Sequence, residues 1–172
     1  MAHSEEPRMY KKILVPTDGS ELSEQAVTAA IDFARLCGAE IVALSVAEPY
    51  PLIPAAEGAM VIDPGFESDT LQKMAKASVD KVALAAKAAG LRCTTVTVFS
   101  MVPHEEIIRA AVQNGCDLIF MASHGRRGLS RLLAGSVTQN VLAYSSVPVM
   151  VLRPRADNGK LHVPGTGTAA TA

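Results

Sequence analysis

Lys11-Lys12-Ile13-Leu14-Val15-Pro16-Thr17-Asp18-Gly19-Ser20 sets an unbroken apolar run directly before a cluster of turn-forming residues. A run this short, with no polar alternation, reads as a strand buried on both faces, which is the habit of parallel sheets. A helix is expected next. Ser20 or Ser23 is its candidate N-cap, and Glu21 and Glu24 fall in the first turn, where the helix dipole favours acids. Val27, Ala30, Ile31 and Ala34 share one apolar face, and Gly38 is a fitting C-terminal stop.

The same alternation of elements continues down the chain. Ile41 to Val46 reads as a second buried strand, and Cys93 to Phe99, rich in Thr and Val, as a third. Leu118 to Ala122 and Val147 to Leu152 read as the fourth and fifth. Helices are expected from about Thr70 to Ala89, with Leu71, Met74, Ala75, Val82, Ala85, Ala86 and Ala89 as its stripe, from Pro103 to Asn114, and from Ser136 to Tyr144. Glu48 to about Ser68 carries Pro49, Pro51, Pro54 and Pro64 with Gly58 and Gly65, and reads as a long loop, either a lid or a surface excursion. The order β-α-β-α-β-α-β-α-β gives an α/β fold, a doubly wound parallel sheet with helices on both faces. Such sheets bind ligands outside the carboxyl ends of their strands, where the strand order reverses.

Residues 1–8 read as a flexible arm, 9–154 as one domain, and 155–172, rich in Gly, Ala, Thr and Pro, as a disordered tail. With Trp absent, the packing falls to Ala, Val, Leu and Ile. The formal net charge of −1 removes any bulk electrostatic case for nucleic acid or an acidic membrane surface. No apolar run approaches a membrane span, and the polar start Met1-Ala2-His3-Ser4-Glu5-Glu6-Pro7-Arg8 lacks the basic and apolar segments of a signal peptide, so the reading expects a cytoplasmic protein. Cys37, Cys93 and Cys116 lie far apart, form no C-x-x-C and read as small buried hydrophobes.

Two loops are expected at the carboxyl edge. The first is Pro16-Thr17-Asp18-Gly19-Ser20. The second runs from Ala122-Ser123-His124-Gly125 to Gly135-Ser136-Val137-Thr138. Gly125, Gly128 and Gly135 allow close backbone approach, and Ser136 and Thr138 stand at a helix start, where free N–H groups and hydroxyls suit a phosphate. Arg126, Arg127 and Arg131 add positive charge. The alternative is that Ser136 only caps the helix and the arginines only face solvent. Asp18 has two readings as well: an acceptor for a ribose hydroxyl or adenine edge, or the anchor of its own turn.

Those residues resemble the universal stress protein signature, G-x2-G-x9-G-[S/T]. Here the aligned stretch is Ala122-Ser123-His124-Gly125, nine residues, then Gly135-Ser136, with Ala122 in place of the first glycine. Lys12 to Ser20 matches the opening strand and turn of the family, and Pro148-Val149-Met150-Val151-Leu152 matches its closing strand. The resemblance implies a strand order of 3-2-1-4-5 and a homodimer paired through the last strand, Pro148 to Leu152. It also implies ATP as ligand, with Mg2+ held only through the phosphates. The implied binding residues are Pro16, Thr17, Asp18 and the Val46 backbone toward adenine and ribose, and Met121, Ala122, Gly125 and Arg127 toward ribose and phosphates. Gly135, Ser136, Val137 and Thr138 would hold the phosphate tail.

The resemblance further implies a dimeric stress-response sensor or regulator. The competing reading is an interaction scaffold of the same fold that binds no nucleotide, for which Ala122 is the argument. An ATP-cleaving enzyme ranks last, because no general base or carboxylate pair accompanies the loop, and no catalytic residue is assigned. Ser123 and His124 are adjacent, so their side chains are expected to diverge rather than form a nucleophile–base pair. The histidines and cysteines show no metal-ligand spacing, and no protein-bound metal is expected.

Overall fold

The structure is a computed structural model and describes residues 9–49, 64–124 and 134–153, with 64–67 described by backbone alone. The described residues form β1 (Lys12–Pro16), α1 (Glu21–Cys37), β2 (Glu40–Ala47), α2 (Pro64–Ala88), β3 (Cys93–Phe99), α3 (Pro103–Gln113), β4 (Leu118–Ala122), α4 (Ser136–Tyr144) and β5 (Val149–Leu152). All neighbouring strands pair in parallel, in the order β3-β2-β1-β4-β5.

Period-2 alternation divides the core into two layers. Ile13, Val15, Ile41, Ala43, Leu118, Phe120 and Ala122 face α1 and α2, meeting Ala26, Ala30, Val79 and Ala86. Leu14, Val42, Leu44, Ile119 and Met121 face α3 and α4, meeting Ile107, Ala110, Ala111 and Val141. The central strands are buried on both sides, as their unbroken apolar sequences require.

Ser20, not Ser23, is the N-cap of α1: its hydroxyl accepts from the Ser23 N–H at 3.3 Å. Gly38 closes the helix in the left-handed region at φ 66°, where a Cβ is disfavoured. Two expectations need correction. The second helix starts at Pro64, not near Thr70, so the loop read to Ser68 is helical in its last part. In sequence proline reads as loop punctuation, yet its missing N–H costs nothing in the first turn of a helix. The stripe of α2 also differs: Val79 is buried at 1% exposure, Ala85 is exposed, and Met74 is 46% exposed.

Among the cysteines only Cys116 is buried, with Cys37 and Cys93 intermediate. Burial pushes the Cys116 thiol up to about 11, with Lys12 lowering it and Asp117 raising it less, and burial also raises Cys93. Both thiols are thereby held protonated and poorly nucleophilic. Asp117 ties β4 to β1, its carboxylate accepting from the backbone N–H groups of Lys11 at 2.8 Å and Lys12 at 3.1 Å. No helix among the described residues is long and apolar enough to cross a membrane.

Candidate functional site

Strands β1 and β4 pair only through Ile13 with Leu118 and Leu14 with Ile119. Toward their carboxyl ends they no longer pair with each other, so a crevice opens between them at the point where the strand order reverses. A cavity of about 480 Å³ occupies it, within the size range of small-molecule sites.

The two loops at its rim are built differently. In the β1–α1 turn the N–H groups of Thr17, Gly19 and Ser20 already have acceptors. The Thr17 N–H donates to the Leu44 carbonyl at 2.8 Å, the Gly19 N–H to Thr17 Oγ1 at 3.2 Å, and the Ser20 N–H to Asp18 Oδ1 at 3.0 Å. Thr17 Oγ1 and Ser23 Oγ share a buried hydrogen bond of 3.1 Å. Glu21 and Glu24 then fill the first turn of α1 and repel anions.

The β4–α4 side is the reverse. Gly135 is the N-cap of α4 and offers no side chain to the helix, and no acid stands in its first turn. The first helical bond runs from the Gln139 N–H to the Gly135 carbonyl at 2.9 Å. The N–H groups of Ser136, Val137 and Thr138 therefore lack acceptors among the described residues, which gives an anion-receptive helix start at the cavity wall. Gly135 sits at φ −62°, so its glycine is required by proximity rather than by backbone conformation. A Cβ there would lie 3.3 Å from His124 Cβ and 3.4 Å from His124 Cα.

The sequence profile of the universal stress protein family matches residues 9–153. The chain belongs to the universal stress protein family. It is 33% identical to the universal stress protein MJ0577 of Methanocaldococcus jannaschii over 156 residues, covering 84% of this chain and 96% of the relative. It is 30% identical to the universal stress protein YxiE of Bacillus subtilis, covering 84% of this chain and all of that one. The solved structure of MJ0577 superposes with a TM-score of 0.70 at 32% identity, covering 87% of this chain and 99% of that one. A universal stress protein solved in complex with cAMP superposes at 0.61 with 25% identity, covering 84% and 97%.

In this universal stress protein the cavity gathers Pro16, Thr17, Asp18, Val46, Met121, Ala122, Gly135, Ser136, Val137 and Thr138 from the residues expected at the site. Gly125 and Arg127, with Arg126, Gly128 and Arg131, lie outside the described residues. Thr138 needs correction as a hydroxyl donor to phosphate: it is 2% exposed, and its Oγ1 donates to the Ala122 carbonyl at 3.0 Å, pinning α4 to the end of β4. Ser136 is exposed, and as the first residue of α4 it is not the helix cap.

Sequence reasoning missed one wall. Leu71, Met74 and Ala75 of α2, with Pro103 and Ile107 of α3, close the apolar side of the cavity, and Glu48 stands at the end of β2. By helical spacing Leu71 and Met74 read as core stripe, and their partial exposure is what marks them as cavity wall. The pair Ser123 and His124 also departs from expectation. Ser123 Oγ and His124 Nδ1 are hydrogen-bonded at 3.2 Å. The strand ends at Ala122, and the bend that follows breaks the alternation that would have sent the two side chains apart.

Ala122 is strand backbone paired with Leu152, and its side chain belongs to the apolar layer under α1. Extended backbone admits alanine without strain. If the crevice holds the ATP that the family resemblance implies, Ala122→Gly is expected to leave its affinity within about threefold while costing about 1 kcal/mol of stability, from the lost methyl and the looser chain. Calorimetry beside a chemical melt checks both; an ATP affinity that rises sharply would mean the methyl obstructs the ligand.

Proposed function

We propose that this protein binds an adenine nucleotide, ATP, in the β1–β4 crevice and works as a homodimeric stress-response sensor whose ligand state alters its contacts. The observation that carries this reading is the polarity of the cavity. Asp18 and Glu48 stand at the β1 and β2 ends, where neutral hydroxyls and an amino-bearing base can be accepted. The uncapped amides of α4 stand at the β4 end, where only an anion is well received. Leu71, Met74 and Ile107 supply the apolar surface on which a base can lie. A phosphorylated nucleoside has this sequence of properties along its length. The related universal stress protein in complex with cAMP shows an adenine nucleotide on a protein of this fold, which supports the choice of base.

Mg2+ enters this reading only through the phosphates. Among the described residues no cluster of His, Cys, Asp and Glu could hold a metal ion. The homodimer reading rests on β5, a strand at the edge of the sheet whose residues are only partly buried. An uncovered edge invites pairing, and a twofold mate satisfies it with the same strand.

The direct test is calorimetry of the purified protein with ATP and adenosine, beside acid release of any co-purified nucleotide. Binding of both, ATP more tightly, is expected. A protein that ignores ATP at millimolar concentration would leave the scaffold reading in its place. Asp18→Ala separates the two ends of the site. Adenosine affinity is expected to fall about tenfold, as for a lost hydrogen bond to a charged acceptor, while binding of inorganic triphosphate stays unchanged. Equal losses for both ligands would return Asp18 to its turn alone, where its bond to the Ser20 N–H already places it.

A further inference from the structure

Ser123 is 3% exposed, and its three polar groups are all committed. Its N–H donates to the Leu152 carbonyl at 2.8 Å, its carbonyl accepts from the Gly135 N–H at 2.8 Å, and its hydroxyl meets His124 Nδ1 at 3.2 Å. Among the described residues, Nδ1 is the single partner of that hydroxyl. A buried O–H left without an acceptor is costly, whereas a hydroxyl oxygen with a spare lone pair is not. With Ser123 Oγ as the donor of this bond, Nδ1 is the unprotonated nitrogen. The neutral ring then carries its hydrogen on Nε2. With Nδ1 tied to the protein, the Nε2 edge is what the ring has left for a ligand. His124 lines the cavity, and a Cβ added to Gly135, the cap of α4, would lie 3.3 Å from His124 Cβ.

We infer that His124 is a ligand-binding residue of this site, donating its Nε2–H to a phosphate oxygen beside the amides of α4, and that Ser123 is the positioning residue that fixes the donor tautomer. The site then selects nucleotides over nucleosides by a directional donor as well as by the helix start. This deepens the nucleotide reading and relies on it for the identity of the base, but not for the tautomer or for the recognition of phosphate.

The experiment uses the full chain labelled with 15N, with long-range 1H–15N correlations of the histidine rings assigned by difference against His124→Gln. The wild type is expected to show His124 with Nε2 protonated, and Ser123→Ala, which keeps both backbone bonds, to show a mixture of tautomers. A wild-type His124 protonated at Nδ1 overturns the proposal. Inorganic triphosphate added to the same sample is expected to shift the Nε2 resonance of His124, and no shift overturns the proposal whether or not adenosine binds. Calorimetry adds the energetic arm. His124→Ala is expected to weaken ATP about tenfold and leave adenosine unchanged, as for one hydrogen bond to a charged oxygen, with His124→Gln restoring most of the loss through its amide donor. Equal losses of ATP and adenosine in His124→Ala overturn the proposal. Failure of adenosine alone in the wild type, with triphosphate still shifting His124, counts against the nucleotide reading and supports this one.

Discussion

Replacing Gly135 with valine is expected to weaken ATP binding by about a hundredfold or more while adenosine binding changes less than about threefold. The Cβ alone would come within 3.3 Å of His124 Cβ and 3.4 Å of His124 Cα, and the second of these is backbone that no rotamer change can move. Valine adds two further methyl groups at the mouth of the amide cradle. The start of α4 must then shift away from β4, against the bond from the Gly135 N–H to the Ser123 carbonyl and the bond from Thr138 Oγ1 to the Ala122 carbonyl. A stability loss of about 1–3 kcal/mol accompanies such overpacking. Thermal melts and calorimetry with both ligands check the result together. An ATP affinity equal to wild type in a folded Gly135→Val variant would remove α4 from the site.

The second large effect concerns the sheet edge. Along β5, the Pro148 carbonyl accepts from the Ile119 N–H and the Leu152 carbonyl from the Ser123 N–H, so the even-numbered residues turn their backbone groups toward β4. Val149 and Val151 accordingly turn theirs to the open side, since these directions alternate along a strand. Val151→Pro removes an outward N–H and leaves the ladder to β4 intact, which is the setting in which proline is tolerated in a sheet. In a twofold dimer paired through β5 the loss occurs twice, and the dimer is expected to weaken by about a hundredfold. Sedimentation across a dilution series reads this directly. A dimer of unchanged strength would place the interface elsewhere, and a monomeric wild type would remove the dimer from the proposed function.

How much of this was legible beforehand differs between elements. The strands announced themselves because a parallel strand covered on both faces must be apolar throughout, and Ile13-Leu14-Val15, Ile41 to Leu44 and Leu118 to Met121 are. The start of α2 did not, because Pro64 carries the same signal in a loop and in a first helical turn. Position along the chain announced the carboxyl-edge loops, but which of them receives an anion was a matter of capping. The turn at Asp18 to Ser20 offers side-chain acceptors to nearby N–H groups, whereas Gly135 has no side chain to offer the first N–H groups of α4, and both stretches are rich in Gly and Ser.

The chain alone determined the order of elements, the parallel sheet and the family, because these follow from local periodicity, turn chemistry and motif spacing, which neighbours in sequence enforce. Tertiary structure alone decided that Thr138 is spent on the Ala122 carbonyl, that Leu71 and Met74 wall a cavity, and that Ser123 and His124 meet. The first two depend on where distant strands and helices converge and the third on how the chain bends as it leaves β4, and no stretch of sequence carries that information by itself.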